Sequence, residues 1–137
     1  VDHIGIAVRS LENALKIYRD LLGLKELSTE VVPDGTVRVT FLEIGTTKLE
    51  LIEPINNPGV ERFLEKRGEG LHHICFLSNN IAEDLKSFKE KGATLIDPEP
   101  RRGAHGMMVA FLHPRSMGGV LVELAQPESE YRALATR

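Results

Sequence analysis

Apolar side chains alternate or run together in eight short stretches: Asp2 to Val8, Leu24 to Val32, Val37 to Ile44, Lys48 to Ile52, Leu71 to Leu77, Ala93 to Ile96, Met107 to His113 and Val120 to Leu124. Runs of this length and period predict β-strands. Two segments carry a helical period instead. After Ser10, the residues Leu11, Ala14, Leu15, Tyr18, Leu21 and Leu22 recur at helical spacing up to Gly23, which predicts an amphipathic helix with Ser10 as N-cap and Gly23 closing it. After Asn80, with Glu83 three residues on as in a capping box, Ile81, Leu85 and Phe88 form the stripe of a second helix that ends at Gly92. Asn57-Pro58 reads as the N-cap and first position of a short linker helix over 57–68, carrying Val60, Phe63 and Leu64 and stopped by Gly68.

The order of these elements repeats. Val1 to Val8 lies over Leu71 to Ser78, with His3 on His73. The helix from Ser10 lies over the one from Asn80, Val39 to Leu42 over Val109 to Leu112, and Lys48 to Pro54 over Leu121 to Pro127, with Glu50 on Glu123. Glu50 follows His3 by 47 residues and Glu123 follows His73 by 50. Collinear matches at nearly equal spacing predict a duplicated strand, helix and three-strand unit.

Helices bury their stripes on one sheet face, so alternation sorts the strand residues. This places Ile4, Ile6 and Val8 against the helix and His3, Gly5 and Ala7 on the opposite, concave face. Bulk assigns Val37, Val39 and Phe41, with Val109 and Phe111, to the helix side, and Arg38, Thr40, Leu42, Met108, Ala110 and Leu112 to the concave side. With Leu49, Leu51, Val122 and Leu124 in the core, Lys48, Glu50 and Glu123 face the concavity. A lone strand histidine is ordinarily a hydrogen-bonded structural residue. Two carboxylates turned inward together would repel each other and lose hydration unless a cation or protons were present. The set His3, Glu50, His73 and Glu123 therefore predicts a divalent-metal site with mixed nitrogen and oxygen donors.

The other candidates carry less. His72 points to the opposite face, as a packed residue; His105 and His113 fall in a loop and at a strand end, where solvation is the default. Cys75 shares the concave face as a buried thiol. The stretch Arg101-Arg102-Gly103-Ala104-His105-Gly106 could hold phosphate through its basic side chains and exposed amides, or be a solvated turn.

Composition narrows the class. The chain has 137 residues, 42% hydrophobic and 27% charged, enough for one folded domain and inconsistent with disorder or a coiled-coil rod. No apolar run approaches a bilayer span, and no signal peptide is legible at the start. Val1 opens straight into a strand without an initiating Met, which leaves room for an upstream piece. A single cysteine excludes an internal disulfide, and a net charge of −3 with a pI near 6.0 gives no electrostatic footprint for nucleic acid.

These residues resemble the vicinal oxygen chelate (glyoxalase/bleomycin resistance/dioxygenase) superfamily, and within it the methylmalonyl-CoA epimerases. The likeness rests on Val1 to Val8, Lys48-Leu49-Glu50-Leu51, Gly70-Leu71-His72-His73-Ile74, Gly103-Ala104-His105-Gly106, and Phe111-Leu112-His113-Pro114-Arg115 running into Gly118 to Leu124. It extends from about Asp2 to Pro127. The doubled histidine and the last stretch are its most specific parts.

The resemblance implies an α+β, glyoxalase-like fold: a single domain over 1–137 in which two paired βαβββ modules, about 1–55 and 70–127, form a concave metal site. It implies a metal-dependent epimerase, an isomerase of propionate metabolism that interconverts (R)- and (S)-methylmalonyl-CoA by α-proton removal and return through an enolate. His3, Glu50, His73 and Glu123 would hold one divalent ion, Co2+ first, with Ni2+, Mn2+ or Zn2+ as alternatives. Glu123 would be both ligand and base. The family's second glutamate falls at Arg38, which cannot act as a base. Lys48, two positions from Glu50 on the same face and near the expected cation, is the substitute, and Glu43 falls on the other face by parity.

Arg101 and Arg102 are the expected coenzyme contacts. The resemblance further implies a homodimer, in the cytoplasm or in the mitochondrial matrix of a eukaryote, with an acyl-CoA as small-molecule partner and neither nucleic acid nor membrane. Glyoxalase I (lactoylglutathione lyase), with the same ligand types, and a metal-free ligand-sequestering relative are the competing readings.

Overall fold

A computed structural model describes residues 1–136 and divides the chain into two compact units. One is His3–His72; the other runs from His73 onward and includes Val1 and Asp2. The first holds β1 (His3–Ala7), α1 (Leu11–Leu15) continued by a π-helical turn (Lys16–Leu21), β2 (Lys25–Val31), β3 (Val37–Ile44), β4 (Thr47–Pro54) and α2 (Pro58–Arg67). The strand order is β2-β3-β4-β1, with β1 parallel to β4 and the remaining pairs antiparallel. In the second, β5 (Gly70–Leu77), which begins at the end of the first unit, is followed by α3 (Ile81–Glu90), β6 (Arg101–Arg102), β7 (Met107–Leu112), β8 (Val122–Pro127) and α4 (Glu128–Ala135). Its order is β5-β8-β7-β6, with β5 parallel to β8. The internal repeat is thus a repeat of topology, and the fold class is α+β. No helix among the described residues is long and apolar enough to cross a membrane.

The helices α1, α2 and α3 start where their caps predict. Ser10 Oγ accepts from the Asn13 amide at 3.2 Å, Asn57 Oδ1 from Val60 at 3.0 Å and Asn80 Oδ1 from Glu83 at 3.2 Å, each satisfying an amide the helix leaves open. The return arm of the Asn80 capping box is absent: the Asn80 amide donates to Ser78 Oγ at 3.1 Å instead. Leu11 and Ala14 of α1 pack on Ile6, Val8, Leu42, Leu49 and Leu51. Ile81 and Leu85 of α3 pack on Ala110, Leu112, Val122 and Leu124. A fully buried Ile such as Ile81 contributes roughly 1.5–3 kcal/mol.

The end of each last strand fastens a helix. Glu53 Oε2 accepts from the Leu11 amide at 2.9 Å. At the matching position Gln126, fully buried, accepts from the Ile81 amide at 3.0 Å and donates to the Asn79 carbonyl at 2.7 Å. Gln126→Leu strands both backbone groups away from water and is expected to cost about 2–4 kcal/mol. The loss would be read as a lowered midpoint in urea unfolding with an unchanged slope.

Three expectations are corrected here. The stripe from Ser10 to Gly23 holds only through Tyr18, because the Leu22 amide bonds to the Ile17 carbonyl at 2.9 Å, a five-residue step. That wider turn shifts the phase of everything after it. Leu21 and Leu22 are left 78% and 60% exposed, and Leu24 packs on the core instead.

Ala93 to Ile96 forms a single bridge, Leu95 with Leu112, not a strand. The Phe111 amide is taken by the Asp97 carboxylate at 2.9 Å, and Pro98 and Pro100 have no amide with which to continue a ladder. Pairing with β7 resumes only at Arg101.

The faces of β3 and β7 are the reverse of those that bulk suggested. Leu42 and Leu112 belong to the helix-side cores. Phe41 stands opposite Glu50 and Phe111 opposite Glu123 in antiparallel register, which puts each aromatic on its glutamate's face.

Candidate metal centre

In the first unit β1 and β4 run side by side with His3 level with Lys48 and Gly5 level with Glu50. Glycine beside the glutamate leaves room for the imidazole to lean across. His3 Nε2 lies 3.4 Å from Glu50 Oε1. In the second unit β5 and β8 repeat this arrangement, with Cys75 level with Glu123 and His73 Nε2 3.1 Å from Glu123 Oε1. All four side chains are buried, between 4% and 7% exposed.

Each imidazole is also held by an aromatic edge that sequence reasoning assigned elsewhere. Phe41 meets His3 with ring centroids 5.6 Å apart at 85°, and Phe111 meets His73 at 5.5 Å and 80°. Edge-to-face contact of this kind fixes the plane of a ring. The signal lay in the repeat, which aligns Phe41 with Phe111.

The remaining candidates sort by face. Lys48 stands on the Glu50 face, cross-strand from Glu43, so Glu43, expected on the other side, shares that face. Arg38 is the opposite case: paired with Glu53 across the sheet, with Nη1 3.6 Å from Oε1, it points away from Glu50. Cys75 is buried with Val109 and Ala125 on the Glu123 face. His72 packs edge-on against Phe63 of α2 at 5.0 Å, as a structural residue. His113 Nδ1 caps the following turn by accepting from the Arg115 amide. His105 is exposed at a tight turn with φ 59°.

The two arginines proposed for the coenzyme part company. Register puts Arg101 on the face of Val109 and Glu123, and Arg102 on the other. There Arg102 Nε bonds Glu128 Oε1 at 3.1 Å at the start of α4. The Glu128 carboxyl is held below its ordinary range by hydrogen bonds from Arg132 and then Arg102. Between β6 and β7, Gly103 runs so near the sheet that a Cβ there would meet Val109 Cγ1 at 2.9 Å. Only glycine lets the chain turn that closely.

A cavity of about 790 Å³ opens on the other side of the second unit's sheet, over Leu112, Val122 and Leu124. Those residues alternate with Phe111 and Glu123 along the strands, which separates the cavity from the His73–Glu123 pair.

Chemically, each unit presents one buried imidazole beside one buried carboxylate. Nitrogen and oxygen donors of these kinds suit a borderline divalent ion.

Fold and donor set together define a glyoxalase-type α+β protein. The chain belongs to the glyoxalase/bleomycin resistance protein/dioxygenase superfamily, whose family model matches residues 2–111. It is 47% identical to an uncharacterized protein of Bacillus subtilis, with 95% of this chain and 94% of that one covered. It is 40% identical to the ethylmalonyl-CoA/methylmalonyl-CoA epimerase of Cereibacter sphaeroides, covering 92% and 96%. Among solved structures, a methylmalonyl-CoA epimerase in complex with methylmalonyl-CoA and NH4+ superposes with a TM-score of 0.86 at 38% identity, covering 92% of both chains.

Proposed function

We propose that His3, Glu50, His73 and Glu123 hold one divalent metal ion, Co2+ foremost, and that the protein interconverts (R)- and (S)-methylmalonyl-CoA. The observation that carries this reading is the recurrence of one buried arrangement, a histidine against a glutamate with a phenylalanine edge on the imidazole, at matching positions of both units. A single His–Glu contact needs no ion to explain it. The same contact kept in both copies of a duplicated fold calls for a shared task, and relatives that are epimerases of acyl-CoA thioesters supply one.

A bound ion of this kind withdraws charge from carbonyl oxygens and so makes the neighbouring carbon more acidic. The chain's own side chains do the rest. Glu123 takes the α-proton, for which a buried carboxylate suits a base. Phe41 and Phe111 fix the imidazole planes. Return of a proton to the opposite side needs a second carrier. Lys48 fills that place in the proposal, being on the Glu50 face, whereas Arg38 can neither accept a proton nor reach that face.

Because each unit supplies half of the donors, the two are proposed to act as a single domain over 1–137. The homodimeric state and cytoplasmic location that accompany this reading are checked by sedimentation and cell fractionation.

The test follows incorporation of deuterium from heavy water into the α-position of methylmalonyl-CoA, run beside an assay with methylglyoxal and glutathione. Exchange with the first and silence with the second supports the epimerase. The reverse outcome would make the protein a glyoxalase.

A further inference from the structure

The two phenylalanines that meet the imidazoles are held by different means. In the first unit β2 runs alongside β3, with Ser28 level with Phe41. In the second unit β6 reaches only Met108 and Val109, and what lies beside Phe111 is the bend at Ile96 and Asp97. There the Ile96 and Asp97 amides donate to the Phe111 carbonyl at 2.9 and 3.2 Å, and Asp97 Oδ2 accepts from the Phe111 amide at 2.9 Å. An amide has a single proton to give, so that of Phe111 is spent on Asp97 and none is left for β8. Phe111 and Glu123 are therefore a non-hydrogen-bonded pair, the kind in which facing side chains come closest. The Phe111 ring stands edge-on to His73, and its backbone depends on a carboxylate where the first unit uses a strand. The same carboxylate accepts from Arg101 Nε at 3.3 Å, and the Arg101 Cζ lies 5.7 Å from the ring centroid.

We propose that Asp97 is a positioning residue of the metal centre: by holding the Phe111 backbone it sets the ring that fixes the plane of the His73 imidazole. This rests on the reading of His73 as a metal ligand.

Titration of the wild type, D97A, D97N and F111L with Co2+, followed by the visible absorption of the bound ion, tests it. D97A is expected to bind Co2+ about tenfold more weakly, as when a group supporting a ligand is lost, with absorption bands displaced as the imidazole plane shifts. D97N keeps an oxygen for the Phe111 amide and is expected within about threefold of the wild type, with its bands in place. F111L is expected to match D97A, and the double variant D97A/F111L to be no worse than either alone, because both changes interrupt one route. Gln126→Leu, which lowers stability without touching that route, is the control, and its bands should coincide with those of the wild type. Should D97A not fold, D97E takes its place, with the charge kept and the carboxylate set a methylene further out. Wild-type affinity and bands in D97A, a D97N as impaired as D97A, fully additive losses in the double variant, or displaced bands in Q126L each overturn the assignment of Asp97 and leave the metal reading in place. A wild type that binds no Co2+ overturns both.

Discussion

Glu123→Gln is expected to bring α-proton exchange of methylmalonyl-CoA with deuterated water down by about a thousandfold or more, in a protein that still folds, as loss of a general base requires. The amide has nearly the carboxylate's shape, so packing around β8 and the Phe111 pair across from it is preserved. What disappears is the charge and the lone pair that takes the proton. Circular dichroism and the thermal midpoint report the fold, and elemental analysis reports retained metal. These controls separate a missing base from a missing ion. Full exchange by a folded Glu123→Gln protein would remove Glu123 from the mechanism.

Metal removal should have an effect of similar size. Dialysis against a chelator is expected to silence exchange, and adding back Co2+ to restore it. His73→Ala should lower metal affinity by more than about a hundredfold, because even losing a residue that only supports a ligand costs ten- to a hundredfold. In that variant the Phe111 edge loses its partner ring as well. Activity that survives exhaustive chelation with no metal detected by elemental analysis would refute the proposed ion, whatever the fate of the epimerase reading.

Much of this molecule could be read from its residues because the information was local or duplicated. Ser10, Asn57 and Asn80 announced their helices, since an amide at a helix start needs an acceptor nearby in sequence. The pairs His3–Glu50 and His73–Glu123 were legible because the repeat set each residue beside its counterpart and alternation on β1, β4, β5 and β8 was unambiguous. The failures share a cause, namely that the deciding interaction was distant or cooperative. Bulk sent Phe41 and Phe111 to the helices, but they are needed against imidazoles on other strands, and Leu42 and Leu112 fill the helix side instead. The one-residue slip of phase in α1 depends on a hydrogen bond between Leu22 and Ile17 that periodicity does not encode. The loss of a strand at Ala93 to Ile96 hinges on Asp97 taking a backbone amide fourteen residues away.

Asp97 also bears on how sequences of this kind can drift. It anchors a backbone position and a side chain that otherwise answer to different pressures, one orienting an imidazole and the other facing solvent. A change at position 97 is then felt in two places at once, whereas changes at Arg101 or Phe111 can be trialled separately. Variation among descendants should consequently be correlated across these three sites, with Asp97 the last of them to move.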